Sequence, residues 1–463
     1  MTMSTAPRID ETSIAEALGA PAPDASRVRG ILARAQELEG LDAAAVADLG
    51  RVEDPDLLEE IFTAARTVKE TIYGKRLVLF TPLYVSNLCA NDCAYCAFRS
   101  SNRGVVRKAL TQREIAEETA ALVAEGHKRV LLVAGEAYPR HDFGYVLDAI
   151  DTIYGVRGPG GEIRRVNVNV APLETDQFRQ LKERGIGTYQ IFQETYHRDT
   201  YHAVHRAGRK MDFDWRLGAM DRAFAAGVDD VGVGVLFGLA DWRFELLALL
   251  QHVAHLERRF GVGPHTISVP RLEPAEGSPL AAHPPHPVGD RDFRRIVAIL
   301  RLAVPYTGII MSTRESAAIR RETFALGVSQ ISAGSRTSPG AYAHPEAHAA
   351  EQFSLGDHRP LDEVVRDVAA LGFIPSFCTG CYRLGRTGAD FMDLAKPGEI
   401  KRHCDPNGLS SFLEYLLDHA SPETLKEGLE RIGAVLAELE GEPRRRAEAM
   451  LDAVHSGRRD VFC

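Results

Sequence analysis

The sequence predicts a (β/α)8 barrel of the TIM type, on three observations. Eight short, apolar, β-branched runs recur along the chain, helix-length amphipathic stretches separate them, and polar side chains gather just beyond the ends of the runs. The runs are 77–85, 130–134, 166–170, 189–192, 231–237, 265–270, 308–311 and 330–333. Each is continuously apolar rather than alternating, the pattern of a strand covered on both faces, and parallel neighbours need a crossover of about a dozen residues. The stretches 111–125, 212–226, 244–260 and 290–304 are long enough to supply such crossovers. An open doubly wound sheet is the alternative, but eight units in succession favour closure. Upstream, residues 1–70 carry helical patterns at 26–38 and 55–69 after an irregular start interrupted by Ala-Pro-Ala-Pro-Asp. The expected domains are this helical extension, a barrel over 71–375 and a helical C-terminal region over 376–463.

The chain has 463 residues, 45% of them apolar, and a net charge of −9 that is spread out rather than gathered in a tail. That is enough apolar material for one large core with appendages. No basic, aromatic-interleaved patch points to nucleic acid, and no apolar run is long enough to span a membrane. Residues 1–10 are polar and carry no signal-like apolar stretch, so a reducing cytoplasm is expected and disulfides are not.

Six of the seven cysteines fall into two groups of three; Cys463 is left over as a free thiol. Cys89, Cys93 and Cys96 have C-x3-C-x2-C spacing. Three thiolates can hold three irons of a four-iron cubane and leave the fourth open to a small molecule, which in radical SAM enzymes is S-adenosylmethionine. Structural zinc is the alternative, but it usually shows paired C-x2-C ligands, and no second pair follows nearby. Cys378, Cys381 and Cys404 form C-x2-C-x22-C. This group reads either as zinc held by three cysteines and His403, or as a second cluster with an open iron.

If the first run ends near residue 85, the Cys89 loop lies at the carboxyl ends of the strands, where barrels keep their active sites. Gly135 and Glu136 follow the second run and are placed to meet the amino group of a bound methionine moiety. Further polar residues are expected on the same rim: Gln193, Glu194 and Tyr196 after the fourth run, His265 opening the sixth, Arg314 and Glu315 after the seventh, and Ser332, Ser335 and Arg336 at the eighth. Arg314 is a candidate for a substrate carboxylate, since a guanidinium forks onto two oxygens, with a structural ion pair as the alternative. Arg216 is read as a second cation, for a cofactor carboxylate.

Beyond these separate readings, the segments 82–89 (Pro-Leu-Tyr-Val-Ser-Asn-Leu-Cys), 164–172, 187–197 and 262–271, together with C-x2-C-x22-C, resemble the HydG family, the radical SAM tyrosine lyases that mature FeFe-hydrogenase. The likeness runs from about residue 50 to about 430. It implies that Cys89, Cys93 and Cys96 hold the cluster that cleaves S-adenosylmethionine, with Tyr95 near the adenine, Gly135 and Glu136 near the methionine amine, and Gln193, Glu194 and Arg216 among the cofactor contacts. Arg314 with Ser332 or Ser335 is expected to anchor the tyrosine carboxylate. Tyrosine would be cleaved to p-cresol and dehydroglycine. Cys378, Cys381 and Cys404 would hold an auxiliary four-iron cluster, with His265 on a fifth iron where carbon monoxide and cyanide are captured. Expected partners are tyrosine, an electron donor such as ferredoxin or flavodoxin, and hydrogenase maturation proteins that receive the product.

Two departures stand out. The turn after the second run reads Ala-Gly-Glu-Ala-Tyr-Pro, and Ala-Gly-Arg-Lys at 207–210 replaces a Gly-Pro-Lys-like sequence. The competing readings are a 2-iminoacetate synthase of thiamine biosynthesis, which shares barrel and tyrosine cleavage but lacks the C-terminal triad, and a non-enzymatic iron-sulfur carrier.

Overall fold

A computed structural model describes residues 6–345 and 350–463. Eight parallel strands close on themselves: β1 (Arg76–Ser86), β2 (Arg129–Ala134), β3 (Arg165–Asn169), β4 (Tyr189–Gln190), β5 (Val231–Gly234), β6 (Thr266–Ser268), β7 (Gly308–Met311) and β8 (Val328–Ser332), with β1 pairing both β8 and β2. The open sheet is thereby excluded. A ninth strand, β9 (Ile374–Ser376), was not anticipated. It pairs with Arg76–Val78 at the amino end of β1. β1 can take it because at 11 residues it is longer than its neighbours, and its carboxyl half alone engages β2.

The crossover helices begin where the sequence places capping groups. Thr111 accepts from the Glu114 amide and Glu114 reaches back to the Thr111 amide at 2.7 Å, a reciprocal pair that satisfies two orphan donors of helix Gln112–Ala124. The stretch read as one helix over 212–226 is two, Phe213–Leu217 and Ala219–Ala225, joined at Gly218. Four N-terminal helices (Glu11–Gly19, Ala25–Ala35, Ala43–Gly50 and Pro55–Tyr73) each follow an aspartate whose carboxylate accepts a first-turn amide. Part of the irregular start, residues 1–5, lies outside the described residues.

The extension is fastened to the barrel by Arg295. Buried in helix Asp290–Ala303, it donates to the carbonyls of Gly50 and Val52 at 2.8 and 2.7 Å. After β9 come helices Gly380–Arg383, Gly388–Ala395 and Lys401–Asp418, which line the amino-terminal mouth of the barrel, and then Pro422–Glu438 and Gly441–His455, which pack on Lys401–Asp418. Phe377 stacks on Tyr415 there, with centroids 4.7 Å apart. At the opposite mouth, the Tyr342 hydroxyl donates to the Pro82 carbonyl and the Tyr84 hydroxyl donates to Gln352 Oε1, both at 2.7 Å.

Candidate active site

The two cysteine triads sit at opposite mouths of one barrel. At the carboxyl end, seven of the eight strands, all but β5, contribute to a cavity lined by Cys89, Cys93 and Cys96 together with Tyr95, Gly135, Glu136, Glu194, Arg216, Arg314 and Ser332. The cysteine loop is shaped by its own backbone needs. Arg107 gives four hydrogen bonds to the carbonyls of Asn87, Phe98, Arg99 and Asn102, satisfying groups that no strand or helix pairs. Gly135 has a steric reason to be glycine: a β-carbon there would stand 2.1 Å from the Leu88 carbonyl oxygen of that loop.

Charge in the cavity is tightly arranged. Glu136 accepts from Arg216 at 2.9 Å and from Asn91 at 2.7 Å, and Lys210 donates to Glu194 at 2.6 Å. Arg216 also donates to the Phe192 carbonyl and stands 3.6 Å from Glu194. Burial raises the carboxyl pKa values, but the Arg216 and Lys210 cations outweigh it and hold both Glu136 and Glu194 below the usual carboxylate range. Glu194 sits at φ 73°, a left-handed conformation rare for a non-glycine and a mark of constraint at a functional position. The Tyr95 hydroxyl meets His205 Nε2 at 2.9 Å.

Arg314 differs from its neighbours. It makes no ion pair among the described residues; its guanidinium lies 3.2 Å from the Phe353 ring centroid, and burial lowers its pKa. The structural ion pair weighed for it is taken instead by Arg271, on the buried carboxylate of Glu315. Ser332 Oγ accepts the Thr313 amide at 3.0 Å, which leaves its proton free to donate.

Several expected rim residues lie elsewhere. Gln190, Phe192 and Glu194 line the cavity, so the two-residue period of extended chain turns Gln193 to the other side, where it is buried. Ser335 is buried and does not line the cavity. The Tyr196 hydroxyl is committed to His252 at 2.9 Å, and Arg336 bonds the Ser335 carbonyl. His265 is at the opposite end altogether, because it precedes β6 rather than following it.

At that amino-terminal mouth, Cys378, Cys381 and Cys404 share a second cavity with His265, Arg76, Arg129 and Tyr382. His265 packs on Phe391 with centroids 4.2 Å apart, approaches the Tyr382 hydroxyl at 3.5 Å and has Nδ1 3.8 Å from the Asp230 carboxylate. Burial lowers its pKa, which favours the neutral, metal-binding imidazole. His403 does not join this cavity: its ring is engaged by Arg386 and Arg446, so the zinc set of three cysteines and His403 is not assembled.

Both triads suit a cubane. Each supplies three free, buried or half-buried thiols in one cavity, the donor set that holds three irons of such a cluster. Burial pushes Cys89 and Cys378 up to about 11 and raises Cys93 and Cys96 as well, so these thiols stay neutral until iron displaces their protons. The neighbouring Cys381 and Cys404 thiols act on each other, which lowers the pKa of the first and raises that of the second.

Known proteins fit this arrangement. Residues 83–249 match the Radical SAM superfamily, and residues 268–374 match the Biotin and Thiamin Synthesis associated domain. The 2-iminoacetate synthase of Escherichia coli (strain K12) is 34% identical over 332 residues, 71% of this chain and 85% of that protein. A crystal structure of HydG, a maturase of the FeFe-hydrogenase, superposes with a TM-score of 0.95 at 45% identity over 98% of this chain and 99% of its own. The chain belongs to the HydG family of radical SAM proteins. HydG from Carboxydothermus hydrogenoformans gives a TM-score of 0.80 at 42% identity, covering 92% of this chain and 94% of that one. The HydG structures match 98% and 92% of this chain, whereas the 2-iminoacetate synthase match spans 71% of it. Radical SAM membership brings a four-iron cluster and S-adenosylmethionine. Lys210, Asn91 and Arg107 were missed in the sequence, and Lys210 alone had left a signal, as the basic end of the altered 207–210 segment. No described helix is long and apolar enough to cross a membrane.

Proposed function

We propose that this chain cleaves L-tyrosine to p-cresol and dehydroglycine at the upper mouth of the barrel, and converts dehydroglycine to carbon monoxide and cyanide on iron at the lower mouth, for FeFe-hydrogenase maturation. The observation that carries the reading is the pair of cysteine triads at opposite mouths of one barrel, the lower one completed by His265. A lyase needing only the first step has no use for the second cavity.

Cys89, Cys93 and Cys96 would hold the cluster whose electron cleaves S-adenosylmethionine to methionine and a deoxyadenosyl radical. The chain's own residues bind and orient. Arg314, a cation without a carboxylate partner among the described residues, takes the tyrosine carboxylate, with the Ser332 hydroxyl beside it. The fixed charges of Glu136, Glu194, Lys210 and Arg216 receive the zwitterionic methionine end of the cofactor. Phe80, Leu131 and Ile310 wall the cavity with apolar surface that keeps water from a radical. Cleavage consumes two electrons per tyrosine, one for the cofactor and one, with a proton, for the cresol. Dehydroglycine anion then divides without net redox change into cyanide, carbon monoxide and water. Cys378, Cys381 and Cys404 would hold the auxiliary cluster, and His265 a fifth iron. A ferredoxin or flavodoxin would supply electrons, and other maturation proteins would receive the iron unit.

Anaerobic incubation of iron-reconstituted protein with S-adenosylmethionine, tyrosine and dithionite tests the reading. Cresol together with iron-bound carbonyl bands in the infrared is expected. Cresol without carbon monoxide or cyanide would move the assignment to a 2-iminoacetate synthase. Deoxyadenosine without cresol would remove tyrosine as substrate, and neither product would leave an iron-sulfur carrier.

A further inference from the structure

The lower mouth holds buried positive charge that its own carboxylates do not pair. Arg129 and Arg165 open β2 and β3 and stand in register, so their side chains leave the sheet side by side on one face. They are 4% and 8% exposed, and the Nε of each finds no acceptor. Arg129 gives Nη2 to the Cys378 carbonyl at 2.9 Å; Arg165 lies 3.3 Å from the Tyr382 ring centroid, with Gly187 packed against its other side. Neither is within ion-pair distance of a carboxylate among the described residues. Asp230, which faces His265 at 3.8 Å, keeps both its oxygens without a donor, and Arg76 adds a further unpartnered Nε.

Burying a guanidinium without a counter-charge is costly, so such groups mark where an anion is received. Two forks beside one ring suit a carboxylate, which accepts in pairs. Arg129 and Tyr382 line the lower cavity, and Arg165 stands just behind it, stacked on the Tyr382 ring.

We propose that Arg129 and Arg165 form a carboxylate subsite that captures the two-carbon imino acid at the lower mouth and holds it beside Cys378 and His265. The assignment rests on the two-step reading above. Its benefit is chemical: an uncaptured imine adds water and loses ammonia, giving glyoxylate instead of cyanide.

The test uses iron-reconstituted holoenzyme and its Arg129→Gln, Arg165→Gln and Arg165→Lys variants. Equilibrium dialysis with labelled glyoxylate, without S-adenosylmethionine or tyrosine, should show binding weakened at least tenfold in both glutamine variants and by less in Arg165→Lys. In turnover, the glutamine variants should keep cresol formation within twofold of the parent while the glyoxylate-to-cyanide ratio rises at least tenfold. Unchanged binding with an unchanged ratio overturns the subsite. So does loss of the auxiliary cluster's paramagnetic signal in all three variants, which would make these arginines part of the cluster's cradle. If the parent makes no cresol, the two-step reading fails, and glyoxylate binding still decides the subsite.

Discussion

Replacing Arg314 by glutamine separates a substrate anchor from a structural cation. In the free protein Arg314 has no ion pair to lose; it is a partly desolvated cation resting on Phe353. Losing that contact costs about 0.5–2 kcal/mol, and removing a desolvated charge offsets it, so the melting temperature should stay within roughly 2 °C of the parent. Substrate binding is another matter. A bidentate clamp on a carboxylate supplies two charge-assisted hydrogen bonds, of which glutamine can replace at most one without its charge. The loss is about 3–4 kcal/mol, and at about 1.4 kcal/mol per decade this is roughly a 100- to 1000-fold fall in kcat/KM for tyrosine. Anaerobic cresol formation at limiting tyrosine reads it, with deoxyadenosine formed in the absence of tyrosine as a control on the cofactor side. A cresol kcat/KM within fivefold of the parent would refute the anchor. A melting temperature more than about 5 °C lower would instead make Arg314 structural.

Four further outcomes are expected. Cys93→Ser should end all turnover, deoxyadenosine included, because one of three thiolates at the upper mouth is lost; product above background would remove that triad from the chemistry. Cys378→Ser should leave cresol formation partly intact and abolish bound carbonyl in the infrared, while equal loss of both would refute the division between the mouths. Gly135→Ala should displace the Cys89 loop, since the new methyl group would stand 2.1 Å from the Leu88 carbonyl; iron content after reconstitution should fall, with the far triad's signal retained. Glu245 is buried in helix Trp242–Phe260, accepts the Thr195 hydroxyl and the Tyr196 amide, and has its pKa raised to about 8 by burial. Its native pKa exceeds its unfolded one, so the folded state holds the proton over a range where the unfolded chain has released it. Stability therefore falls as pH rises from about 4.5 to about 8. Glu245→Gln keeps one oxygen for the Tyr196 amide, turns an NH2 that can donate toward the Thr195 hydroxyl, and does not titrate, so it should gain stability relative to the parent progressively across that window in denaturant titrations; a difference independent of pH would mean the carboxyl is ionised in the native protein.

The barrel was legible because burial on both faces writes continuous apolar runs, and all eight strands fall within a few residues of those runs. β9 was not, because Ile-Pro-Ser carries a proline and is too short to announce a strand; it exists only because the overlong β1 offers an unpaired edge beside it. The same distinction governs the sites. Spacing put each cysteine triad together because its ligands are close in the chain or lie on one helical region, whereas Gln193 was misplaced by reading a rim as a list of positions without the period-two alternation that sends neighbours to opposite sides, and Ser335 because the extended chain of β8 ends before it, at the left-handed Gly334. His265 shows the lesson most clearly. Placed on the upper rim because it borders a strand, it borders that strand's amino end, and in a parallel barrel amino and carboxyl ends are different mouths. The family resemblance had already put this histidine with Cys378, Cys381 and Cys404, and the direction of β6 is the physical reason it stands there. Arg129 and Arg165 begin β2 and β3 at the same level. In most TIM-type barrels the amino-terminal face serves stability alone. Here it carries three cysteines, a histidine and unpaired buried arginines, groups that stability by itself gives no reason to bury.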